Sequence, residues 1–182
     1  MINGESVAQN TALMVQDHFL FQMVCDGYYT ESHSVRKLRL AMSDALSELS
    51  RSFPVYLKKT FETEDGLIPR LAIAGEGSLT VTAVTADGKP VPYSVDHEGI
   101  HLDGGGAYDV VYSPEMFDIE VYSDFDVAPE VGYQMIIHLV ARNYCMLSGR
   151  MEEAAMYDSR YNDDVEAIRL KRSAHLPPRK FF

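Results

Sequence analysis

The chain has 182 residues, 46% apolar and 24% charged, the balance of an ordinary folded domain and not of a disordered chain. Sixteen Lys+Arg against 27 Asp+Glu leave a net charge of −11, which argues against a protein whose affinity comes from neutralising phosphates. No apolar run approaches the roughly 18 residues of a membrane helix, and the first ten residues lack the basic start and apolar core of a secretory signal. The two cysteines, Cys25 and Cys145, exclude a disulfide-stapled secreted fold and a multi-cysteine zinc finger, and suit a reducing compartment.

The charge is unevenly spread. Residues 169–182 hold Arg169, Lys171, Arg172, Arg179 and Lys180 and no acid, so residues 1–168 carry 11 basic against 27 acidic side chains, a net −16. Such a basic tail suits docking on an acidic protein surface, including another copy of the same body; the plain alternative is a solvated extension.

In chain order, the spacing predicts a helix over 9–26, apolar at Leu13, Val15, Phe19, Leu20, Met23 and Val24 and stopped by Gly27. A second helix is predicted over 34–52. Its Val35, Leu38, Met42, Ala45, Leu46, Leu49 and Phe53 fall three and four apart, Ser32 or Ser34 can cap it, and Pro54 forbids its continuation. From 55 to about 116 the period changes to alternation. Leu79, Val81, Ala83 and Val84 among threonines read as a strand, Asp87-Gly88 as a tight turn, and Val91, Tyr93 and Val95 as the next strand. His97-Glu98-Gly99 reads as a turn, Ile100 and Leu102 as a short strand, and 108–112 as another, so a small meander or sandwich is expected. Residues 115–130 hold six acids and no base and read as an exposed acidic connection, after which Pro129 suits a helix start. Val131, Met135, Ile136, Leu139, Val140 and Tyr144 give that helix an apolar face. A last helix over 150–172 carries Met151, Ala154, Tyr157, Tyr161, Val165 and Ile168 in a stripe, and Pro177-Pro178 lies beyond it. The expectation is an α+β fold: a helical body of about four helices from 1–53 and 128–172, a small antiparallel β-module inserted at 54–122, and a basic arm at 173–182.

Few constellations suggest chemistry. His97-Glu98-Gly99-Ile100-His101 matches the H-E-x-x-H zinc pattern, but that chemistry needs both histidines one turn apart on a helix. Here Gly99 interrupts the motif, strand sequence precedes it, and Gly104-Gly105-Gly106 follows, so a surface hairpin is expected and no third ligand is evident. Cys25 and Cys145 read as core cysteines near helix C-terminal ends, and His18 and His138 as boundary residues. Gly75-Glu76-Gly77 and Gly104–Gly106 read as turns without the Lys-Ser/Thr of a phosphate loop. The acids of 115–130 do not follow the spacing of a calcium loop. No nucleophile–base pair, metal set or cofactor fingerprint emerges, so neither an enzyme nor a cofactor is expected.

The layout resembles that of phage and prophage head–tail connector proteins, the adaptor and head-closure rings that include the podophage tail-tubular A type. Carrying the resemblance are Ala45-Leu46-Ser47-Glu48-Leu49 running into Phe53-Pro54-Val55 and then Phe61 to Ile68; the hairpin segments Val91-Pro92-Tyr93-Ser94-Val95, Gly99-Ile100-His101-Leu102 and Tyr108-Asp109-Val110-Val111-Tyr112; Pro129-Glu130 and then Ile136 to Tyr144; and Glu153-Ala154-Ala155-Met156-Tyr157 to Tyr161-Asn162. It implies a non-enzymatic subunit of the virion's head–tail junction, made in the bacterial cytoplasm. Its partners would be further copies in a ring, dodecameric in the virion, the portal protein above and tail or neck proteins below. Phage DNA would pass through without specific binding, and no membrane would be involved. Arg169, Lys171, Arg172, Arg179, Lys180, Phe181 and Phe182 would form an arm reaching a neighbouring subunit or the portal. The alternatives are another neck or tail-completion protein, or a metal-dependent hydrolase using the 97–101 segment.

Overall fold

The computed structural model describes residues 1–28, 32–74, 79–114 and 119–174. Its helices are α1 (Gly4–Met14), α2 (His18–Cys25), α3 (His33–Ser52), α4 (Arg70–Ala74), α5 (Tyr133–Leu147) and α6 (Met151–Ala174). Its strands are β1 (Leu57–Thr63), β2 (Leu67–Pro69), β3 (Leu79–Ala86), β4 (Lys89–Pro90), β5 (Ser94–Val95), β6 (Gly99–His101) and β7 (Gly106–Pro114). The fold is α+β, with antiparallel strands between helices of the two chain ends. Two units divide it: residues 1–48 with 118–182, and residues 49–117.

In the helical unit α5 is the centre. Met135, Ile136, Ile137, Leu139, Val140, Ala141, Asn143, Tyr144 and Cys145 are all buried, so the helix is enclosed on nearly every side and its apolar surface is removed from water at about 25 cal/mol per Å². The predicted stripe is buried at all seven positions, six of them in α3 and Phe53 just after its end. Ser32 starts that helix: its hydroxyl accepts from the Ser34 N–H at 3.1 Å and its carbonyl from the Arg36 N–H at 3.0 Å. On α6, Ala154, Tyr157, Tyr161 and Ile168 face inward, whereas Met151 is 62% exposed.

The single helix expected over 9–26 is two helices. α1 ends in a Schellman turn, with Gln16 N–H donating to Leu13 O at 3.1 Å and Asp17 N–H to Ala12 O at 2.9 Å. Gln16 takes the left-handed φ of 56° that this turn requires. Asp17 then caps α2, accepting the Leu20 N–H on Oδ1 at 2.9 Å. The break turns Leu13 and Phe19 outward, to 46% and 70% exposure, instead of placing them on one buried face. The same turn closes α2 at Gly27 and α5 at Gly149, where the left-handed residue is glycine.

The acidic connection also differs from expectation. Asp124, Asp126 and Glu130 are exposed, but Phe125 and Ala128 between them, and Val121 and Val131 on either side, are buried. Phe125 pairs with Ile2 through two backbone bonds of 2.7 and 3.0 Å, so the segment is packed structure. Pro129 lies in a turn, and α5 begins only at Tyr133, after Gly132. Glu115 and Asp118 lie outside the described residues.

The β unit holds a four-stranded sheet ordered β1-β7-β3-β4 and a three-stranded sheet ordered β2-β6-β5, all antiparallel. Alternate side chains of the two sheets build one small core: Phe61, Val84, Tyr108, Val110 and Tyr112 from the first, Ile68 and Ile100 from the second, with Ile73 of α4. Asp87 and Gly88, at φ 50° and 74°, make the two-residue turn between β3 and β4.

Because a side chain in the left-handed region costs about 1 kcal/mol that glycine avoids, Gln16→Gly is expected to raise stability by up to about 1 kcal/mol. A rise in the urea midpoint without a change in slope is the expected reading; a lower midpoint would contradict the turn.

Candidate functional site

The helical unit holds two polar clusters. At the first, the break between α1 and α2 exposes the last carbonyls of α1, which need donors. The Tyr157 hydroxyl donates to Met14 O at 2.7 Å, and Arg150 donates to Val15 O at 2.8 Å while pairing with Glu153. The Tyr144 hydroxyl donates to Asp17 Oδ2 at 2.9 Å, leaving Oδ1 to cap α2. Burial first, then the Asp17 charge, pushes the Tyr144 hydroxyl up to about 12.

At the second, Arg142 of α5 donates to Glu48 of α3 at 2.5 Å and to Asp158 of α6 at 3.1 Å, with its guanidinium 5.6 Å from the Tyr161 ring centroid. Burial disfavours the Arg142 charge, but the two carboxylates more than offset this and hold its pKa above the ordinary value. Burial also pushes the Tyr161 hydroxyl up to about 12. Asn143 donates to Ala41 O at 3.3 Å, and one turn away His138 Nδ1 lies 2.8 Å from Asp164 Oδ2. These groups join three helices by fixed polar contacts. Beside them an open groove of about 530 Å³ is lined by Arg142, Asn143, Met146, Met151, Ala154, Ala155 and Asp158. Met146 and Met151 are 51% and 62% exposed there.

Of the arm residues, Arg169 and Lys171 are exposed on the last turns of α6, with Arg169 3.9 Å from Glu166. Arg172 continues the helix, whose end at Ala174 lies two residues beyond the expected boundary. Cations at a helix C-terminus are favoured by its dipole, so Arg169 and Lys171 have a local structural cause as well. Arg179, Lys180, Phe181 and Phe182 lie outside the described residues. Cys145 is buried, and burial raises its thiol pKa. Cys25 is exposed, contrary to the core position expected of it, because the break after α1 resets the buried face of α2 to Leu20 and Val24.

The 97–101 segment is the turn and second strand of the β5–β6 hairpin, not a helix. Asp96 Oδ1 accepts the Glu98 and Gly99 N–H groups at 2.8 and 3.2 Å, and the Asp96 N–H donates to Gly99 O at 3.0 Å. These bonds, the Glu98 N–H first, hold the Asp96 carboxyl below its usual range together with His101. The hairpin is pinned from outside by the Arg70 N–H on Glu98 O at 2.9 Å. At Gly99 any side chain would strike the Ile68 carbonyl. Asp96, Glu98 and His101 come together here; His97 is not among them. The spacing of the H-E-x-x-H match obscured Asp96, whose place follows from the turn alone. Gly75–Gly77 lie outside the described residues.

No family model matches the chain, and no curated protein matches it in sequence. Among the described residues, no helix is long and apolar enough to cross a membrane.

The raised Tyr144 and Tyr161 values have a sign. A hydroxyl near 10 when unfolded and about 12 when folded stabilises the fold fully below pH 10. That contribution is lost as pH rises from 10 towards 12. Urea unfolding across this window is expected to show falling stability, with a shallower fall in Tyr144→Phe. At pH 7 the same variant is expected to lose about 1–2 kcal/mol with its bond to Asp17. Equal slopes in both proteins would contradict the assignment.

Proposed function

We propose that the chain is a non-enzymatic phage structural protein, a head–tail connector subunit that assembles as a ring under the portal and continues the DNA channel to the tail. The observation that carries the reading is the chain order of the two units. Both chain ends build one helical unit, and a β-module is inserted between them, which is the layout of the connector family that the sequence resembles. The charge distribution supports it: a body of net −16 would let DNA slide without adhering. Residence at the head–tail junction of the virion belongs to the same proposal.

Ring subunits make repeated head-to-tail contacts, and the groove between α5 and α6 has suitable character: exposed methionines, which adapt to varied partners, beside the Arg142–Asp158 ion pair. Its proposed occupant is the basic, aromatic-ended segment of a neighbouring copy, residues 175–182. Eight residues span at most about 26–29 Å. At about 1.5 Å per residue, Asp158 and Met151 lie about 24 and 34 Å back along α6 from Ala174, so a chain's own segment would reach the near end of the groove but not the methionine end. A subunit would therefore serve its neighbour more readily than itself, with charge complementarity and Phe181 and Phe182 as anchors.

Deleting residues 175–182 is expected to leave the helical content and urea midpoint unchanged while weakening assembly onto purified portal rings at least about tenfold, a cost of about 1.4 kcal/mol. Co-sedimentation of full and shortened chains with portal measures it. Equal assembly of the two would remove the arm from the account, and no assembly of the full chain would remove the connector reading.

A further inference from the structure

The tip of the β5–β6 hairpin carries three side chains of types that bind metals, and the connector reading uses none of them. One ligand atom each from Asp96, Glu98 and His101 lies within 4.8 Å of the other two. The first feature is how Asp96 is divided. Its Oδ1 is occupied by two turn amides, so Oδ2 is the oxygen that faces His101, 2.9 Å from Nε2. The second is His101 Nε2 itself. The nitrogen atom is covered, although the side chain is 38% exposed, and the group that faces it is Asp96 Oδ2. A cation between them would be held by Asp96 Oδ2 and His101 Nε2 together. The third is rigidity. The turn is closed by its own bonds, tied to Arg70, and seated where only glycine fits at position 99, so little ordering is needed on binding.

We propose that Asp96, Glu98 and His101 form a three-ligand site for a borderline divalent cation such as Zn²⁺. One imidazole nitrogen and two carboxylate oxygens match the donors that such ions accept at about 2.0–2.2 Å. A hard ion such as Mg²⁺, which keeps its waters and prefers an octahedron of oxygens, suits the set less well. This assignment differs from the H-E-x-x-H pattern in its residues as well as its shape, since Asp96 takes the place of His97. It also stands independently of the connector reading.

The test is calorimetric titration of the chelator-stripped full chain with ZnCl₂, followed on the His101 imidazole by NMR. One ion per chain is expected to bind and to shift the His101 resonances, with MgCl₂ giving no such shift. His101→Ala and Glu98→Gln are expected to weaken binding by at least about tenfold. Asp96→Asn should do the same while keeping the turn, because its amide oxygen still accepts the Glu98 and Gly99 N–H groups. His97→Ala should bind as the unaltered chain does. Circular dichroism and the urea midpoint of each variant separate loss of the site from loss of the hairpin. The proposal is overturned by no binding up to about 1 mM Zn²⁺, by unchanged binding in Glu98→Gln and Asp96→Asn, or by loss of binding in a folded His97→Ala.

Discussion

The helical unit depends on how the corner between α1 and α2 is satisfied. A helix that stops inside a folded unit leaves carbonyls without partners, and burying them unpaired would cost about 1–3 kcal/mol each. Here the donors come from the far end of the chain. Tyr157 and Arg150 take the carbonyls of Met14 and Val15, and Tyr144 takes the free oxygen of the Asp17 cap. One set of contacts therefore ends α1, starts α2 and fastens both to the α5–α6 turn. The N-terminal and C-terminal helices thus form one unit, and residues 49–117 are an insertion in it.

The Arg142 network has a different physical role. Its carboxylate partners, Glu48 and Asp158, are partly exposed, so the pairs are screened and their direct contribution is modest. Removing the arginine would nevertheless leave two acids facing each other beside the buried α5. The network acts on specificity more than on strength: it fixes which face of α3 and which turn of α6 meet α5. The methionine-lined groove lies beside this fixed junction, so an interface there would rest on a rigid base.

What could be read from the sequence followed from how local its causes are. The clean three-four stripe of α3 and the threonine-spaced run before Asp87-Gly88 name their own partners, and both elements form where expected, whereas the strand expected over 91–95 is replaced by β4 (Lys89–Pro90) and β5 (Ser94–Val95), which belong to different sheets. The break after Met14 was hidden because its left-handed position is Gln16. The equivalent turns at Gly27 and Gly149 carry the residue that normally marks them. Asp17 was the available signal, a cap in the middle of an apolar run. The acidic stretch misled through composition: its charges are exposed, but Val121 and Phe125 pack inward. In the hairpin, the neighbourhood of Asp96 and His101 depends on the closing of a turn, which a motif with fixed helical spacing does not describe.

The functional account rests on an inserted β-module in an acidic helical body with a basic end, a design suited to repeating contacts between copies. Its central claim is that the protein is a stoichiometric part of a phage particle. Quantitative mass spectrometry of particles purified from the strain that carries the gene tests this most directly. The account predicts the chain in every preparation at a fixed copy number close to that of the portal protein. Its absence from particles while it is abundant in the cell would contradict the account.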